Sequence, residues 1–128
     1  MSPIYTTKGS FGGAALGGRG WTDISIGPGK GLIQGFTICV EHGEEGTSAQ
    51  VRLLRVSGIS VNSRGDPEKV FPLGVFVVPM CKSGTVLSYA FNSVREANII
   101  RIEHYANYGH KDAITVGRLS LFITKQSK

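Results

Sequence analysis

From position 104 to position 112 the chain runs His104-Tyr105-Ala106-Asn107-Tyr108-Gly109-His110-Lys111-Asp112, placing two phenols, two imidazoles, an amide, an ammonium and a carboxylate side by side. Tyrosine rings stack on sugars or bases, while amides, imidazoles and carboxylates hydrogen-bond to hydroxyls. The segment reads in two ways: as a ligand-contacting loop, or as a loop that caps a core and keeps its tyrosine hydroxyls wet.

Neutral imidazole is both a metal ligand and a base near pH 7. His42, His104 and His110 therefore bear scrutiny alongside Glu41, Glu44, Glu45, Glu103 and Asp112. Their spacing fits no metal motif, and no G-x-S-x-G-type nucleophile accompanies them, so the expectation is a non-enzyme with no metal or cofactor. Gly27-Pro28-Gly29-Lys30-Gly31 has the glycines and lysine of a phosphate cradle. However, Ile24 stands where the first glycine of a P-loop belongs, and Gly31 where a hydroxyl residue belongs. A hairpin turn is the expected reading. Arg64-Gly65-Asp66 matches the tripeptide of integrin ligands, within a polar Asp-Pro loop whose Arg and Asp are expected to be merely solvated. Cys39 and Cys81 each sit in an apolar run and read as two buried thiols, with a bridge left open.

The elements that must position these groups are strands. Apolar alternation runs through Trp21 to Ile26, Leu32 to His42, Gln50 to Val56 and on towards Val61, Val70 to Val78, Val86 to Phe91, Asn98 to Ala106, and Ile114 to Thr124, with an opening strand near Ile4 to Lys8. In the second of these, Phe36, Ile38 and Val40 point one way and Thr37, Cys39 and Glu41 the other, while Gly35 marks a bulge. In the last, Leu119, Leu121 and Ile123 form one face against Arg118, Ser120, Phe122 and Thr124, which predicts a half or fully buried strand. Turn formers fill the gaps, and Asn92 to Ala97 is the one connection that could hold a helical turn. Seven or eight short strands without intervening helices predict an all-β domain over residues 1–128, an antiparallel β-sandwich or a β-prism.

Length and composition agree with one globular domain: 128 residues, 41% hydrophobic and 18% charged. The 18 glycines are about twice the ordinary ~7% usage and imply many tight turns. No apolar run approaches the ~18 residues of a membrane span, and Met1-Ser2-Pro3-Ile4 lacks the features of a signal peptide, so a cytoplasmic location is expected. The net charge of +5 is spread along the chain without a dense basic block.

Two stretches together resemble the jacalin-related lectins. One is Gly9-Ser10-Phe11-Gly12-Gly13 followed by Gly17-Gly18-Arg19-Gly20-Trp21-Thr22-Asp23; the other is Asn107-Tyr108-Gly109-His110-Lys111-Asp112-Ala113-Ile114. The resemblance implies a β-prism that binds sugars without metal. It places Gly13, Tyr108 and Asp112 in the pocket, with Asp112 accepting from sugar hydroxyls and Tyr108 stacking on the ring.

The leading expectation is a non-enzymatic, lectin-like domain that binds glycans through Tyr105, Tyr108, Asp112 and Gly13. A homo-oligomer is also expected. Two rivals stand beside it: a structural subunit such as a small viral or phage coat or decoration protein, which would reside in a virion, and a nucleic-acid-binding module using the basic surface.

Overall fold

A computed structural model describes residues 4–7, 20–26, 31–44, 46–110 and 114–125. Eight strands appear in it: β1 (Ile4–Thr7), β2 (Gly20–Ser25), β3 (Gly31–Val40), β4 (Val51–Val61), β5 (Pro67–Val77), β6 (Val86–Ala97), β7 (Ile99–Asn107) and β8 (Gly117–Lys125). They form two four-stranded sheets, ordered β1-β8-β3-β6 and β2-β7-β4-β5, and every strand pairing within them is antiparallel. The architecture is a β-sandwich. Two facing sheets exclude the β-prism that the lectin resemblance implied, and the all-β expectation resolves to its other branch.

The core lies where the alternation places it. Phe36, Ile38 and Val40 of β3 are fully buried and face Leu54, Val56, Ile100 and Ile102 of the opposite sheet within one apolar cluster. Leu119 and Leu121 of β8 are buried as well, with Arg118 exposed between turns of the pleat. Burying a side chain of this size contributes roughly 1.5–3 kcal/mol. Phe36 also holds an aromatic group together: its ring stacks on Tyr89 at 5.0 Å and meets Phe76 edge-on at 5.2 Å.

Gly35 does mark a bulge. Ile33 and Phe36, three residues apart, both point into the core, which strict alternation forbids, and the registers of β3 with β6 and with β8 shift between Ile33 and Gly35. One segment departs from expectation. Asn92 to Ala97 forms no helical turn, because β6 continues through it and opposes Gly31, Leu32 and Ile33 with Ala97, Glu96 and Arg95. Ladder hydrogen bonds to β3 outweigh the local helical preference there.

Candidate ligand-binding site

The strand registers bring distant loops to one end of the sandwich. β3 ends at Val40 opposite Gly117, where β8 begins; β6 begins at Val86 opposite Cys39; β4 begins at Val51 opposite Asn107, where β7 ends. The connections 41–50, 78–85 and 108–116 therefore meet there. Thr7 and Gly20, which flank residues 8–19, oppose Leu119 and His104 at the same end.

Gln50 ties these loops together. It is fully buried, so its amide needs partners. Its Oε1 accepts from His42 Nε2 at 3.0 Å, from the Cys81 backbone N–H at 3.2 Å, and from the Cys81 thiol at 3.8 Å. Since an amide oxygen only accepts, the proton of His42 sits on Nε2. The Gln50 Nε2 donates to the Pro79 carbonyl at 2.8 Å and to the Val51 carbonyl at 3.3 Å. One residue thus fixes the 41–50 and 78–85 connections against the start of β4. The His42 N–H donates in turn to Ser83 Oγ at 3.1 Å.

Tyr108 is half-buried at the same end. Its hydroxyl donates to the Val78 carbonyl at 2.6 Å and its N–H to the Ser48 carbonyl, which also accepts from the His110 N–H. Tyr89 reaches the preceding carbonyl, Val77, at 2.8 Å. Burial pushes the Tyr89 phenol above its ordinary pKa, and the neighbouring Cys81 and Tyr108 add to the shift. Asn107 closes the loop after β7: its Oδ1 accepts from the Gly109 N–H at 3.0 Å and its Nδ2 donates to the His110 carbonyl at 2.9 Å. Gly109, at φ 118°, takes a backbone conformation that side-chain-bearing residues avoid.

Of the four residues expected at a site, the structure places Tyr108 in this cluster. Tyr105 lies on β7, with its side chain outside the described set; Gly13 and Asp112 are outside the described residues, as are residues 27–30 of the glycine-proline turn. The three histidines do not converge: His104 is buried, His42 is engaged with Gln50, and His110 belongs to the loop after β7. Burial lowers the pKa of His104. Among the described residues no group of three or more His, Cys, Asp or Glu side chains is placed to hold a metal ion. Cys39 and Cys81 are free and only half-buried, less enclosed than their apolar surroundings imply.

Sequence reasoning missed Gln50, His42 and Ser83 as partners, because their proximity depends on pairings 8 to 41 residues apart. The available signal was a glutamine between Ala49 and Val51 at the head of a strand. Arg64-Gly65-Asp66 projects at the opposite end, on the β4–β5 hairpin. Asn62 Oδ1 accepts from the backbone N–H groups of Arg64 and Asp66 there, and the Arg64 guanidinium turns to Asp66 at 3.9 Å. Both side chains are largely exposed, and a pair this long and this open contributes almost nothing to stability.

No protein-family model and no curated protein sequence matches this chain. Solved structures do. An F5/8 type C domain from Bacteroides fragilis superposes with a TM-score of 0.68 at 11% identity, covering 92% of this chain and 74% of that one. A CBM32 domain from Clostridium perfringens in complex with GalNAc-β-1,3-galactose gives 0.60 at 14% identity, covering 94% and 76%. A family 32 CBM from the same organism, in complex with galactose, gives 0.58 at 11% identity, covering 93% of each chain. At such identities the likeness speaks for the fold, and it overturns the jacalin resemblance, whose β-prism is a different fold. The glycine-rich and Tyr-Gly-His-Lys-Asp stretches that carried it are turn sequences, which unrelated β proteins share.

Proposed function

We propose that this protein is a non-catalytic carbohydrate-binding domain whose ligand docks at the loop end of the sandwich. The observation that carries this reading is the loop frame itself. Gln50, Tyr108 and Asn107 fix the connections 41–50, 78–85 and 107–110 by buried or half-buried hydrogen bonds before any ligand arrives. Preorganised polar loops around an aromatic side chain suit a sugar, which offers hydroxyls at its rim and an apolar face to a ring. The likeness to sandwiches solved with galactose and with GalNAc-β-1,3-galactose supports the ligand class. On this reading Tyr108 and Tyr105 supply ring surface, Asp112 accepts from hydroxyls, Gly13 lets the backbone approach, and His42 and Ser83 line the rim. The thiol of Cys81 turns to the Gln50 amide oxygen, an arrangement that does not activate it as a nucleophile.

The test is a glycan-array screen of the purified chain beside Asp112→Ala and Tyr108→Ala, each checked for fold by circular dichroism. Binding to galactose-type glycans that falls at least tenfold in both variants supports the proposal. Absence of binding to any glycan, or binding unchanged in both variants, overturns it.

A further inference from the structure

The outer face of the sheet β2-β7-β4-β5 is turned away from the core between the sheets. Among the described residues, four of the six exposed large hydrophobic side chains gather on it: Trp21 at 57%, Val70 at 64%, Val75 at 55% and Val77 at 60% exposure. Patches of this kind mark interaction surfaces. The register arranges the face in rows. One row runs Trp21, Glu103, Arg55, Val75; the next runs Asp23, Arg101, Ser57, Pro72. Arg55 holds Glu103 through two hydrogen bonds of 2.8 and 3.2 Å, Arg101 holds Asp23 through two of 2.8 and 3.0 Å, and the Arg101 guanidinium lies 5.2 Å from the centre of the Trp21 ring. The two rows sum to zero charge on a chain of +5.

We infer that this face is the interface of a two-fold dimer of the chain, formed by face-to-face packing of the two β2-β7-β4-β5 sheets. The argument is self-complementarity, which an isologous contact requires. A two-fold axis parallel to the strands and passing between β7 and β4 preserves each row and reverses its order. Trp21 then meets the partner's Val75, Glu103 meets the partner's Arg55, and Arg101 meets the partner's Ser57. Aromatic thus meets aliphatic, and anion meets cation, along the whole row. The chain as a whole carries +5, whereas these two rows balance their charges, so like-charge repulsion does not oppose a copy there. Its size also suffices. Four strands ~4.8 Å apart, the longest 11 residues at ~3.3 Å each, project an area on the order of 500 Å², and side-chain relief brings the accessible area towards the ~800 Å² per partner of a stable interface. Strand addition along β5 is the competing mode of assembly, and Pro67, Lys69 and Pro72 on that edge oppose it.

The dimer does not depend on any sugar, so sedimentation velocity of the full chain tests it separately, from about 1 to about 300 μM, a range that brackets micromolar interfaces. Twice the chain mass is expected at the upper concentrations. Val75→Glu sets a carboxylate against the partner's Trp21 at two symmetric places and is expected to weaken association about 100-fold. Val77→Glu serves as a second variant on the same face. Val86→Glu, equally exposed on the other sheet, leaves the mass unchanged. Three results overturn the proposal: a monomer at every concentration, a dimer that survives both face variants, or a dimer lost equally in Val86→Glu.

Discussion

His42 and Gln50 meet at 3.0 Å across the 41–50 connection, and the same Gln50 oxygen receives the Cys81 N–H from the far side of the loop end. An amide fully buried with both its oxygen and its nitrogen engaged behaves as a fastener, and removing it strands every partner at once.

Gln50→Leu keeps the volume and deletes the polar contacts, leaving the Cys81 N–H and the Pro79 carbonyl without their acceptor and donor. A loss of about 2–4 kcal/mol is expected from urea denaturation. On the proposed function, glycan affinity should fall with it, because the loops lose their common anchor.

Gly109 and Gly117 share φ 118° but differ in surroundings. A Cβ on Gly109 meets nothing within 4 Å among the described residues, whereas one on Gly117 collides with the backbone of Cys39 and comes within 2.9 Å of the Glu41 nitrogen. Gly109→Ala should therefore cost about 1–2 kcal/mol of backbone strain alone. Gly117→Ala should cost more than about 3 kcal/mol, because rigid backbone must also move. Thermal melts of the two variants read the difference directly.

Phe36→Ala removes the ring on which Tyr89 stacks and against which Phe76 packs edge-on. A destabilisation of about 3–5 kcal/mol is expected in the same denaturation assay.

His104 supplies a pH dependence. Burial holds its pKa below the ordinary ~6.5, so between the two values the unfolded chain binds more protons than the folded one. Its contribution to stability is complete above about pH 6.5 and declines as the pH falls through that value towards the depressed folded one. Denaturation midpoints measured from pH 5 to pH 8 should drop on the acid side, and His104→Gln should flatten that part of the profile.

Much of the sandwich was legible in the pattern of residues. Phe36, Ile38 and Val40 alternate with half-buried neighbours as expected, Gly35 sits at the bulge, and the C-terminal strand buries Leu119 and Leu121. The extension of β6 through Ala97 was hidden because its stabilising partner, the start of β3, lies more than 60 residues away in the chain. The site was only half visible for the same reason. A tyrosine-rich segment announces itself locally, but a lone glutamine reveals its role only once pairing brings residues 42, 50 and 81 together. The jacalin resemblance failed because it rested on turn residues, whose types follow from backbone geometry that many β folds share.

The polarity of the sandwich has a practical side. Ile4 opposes Phe122, and Lys125 opposes Gly31, so the first residue of β1 and the last of β8 both point away from the loop end. A bead or a chip coupled at the described residues Ile4 or Lys125 would hold the protein by its base, opposite Tyr108 and His42. Joined through a lysine such as Lys82 in the 78–85 connection, the same protein would be anchored by the end that carries Tyr108 and His42, and on the proposed function its binding loops would be masked.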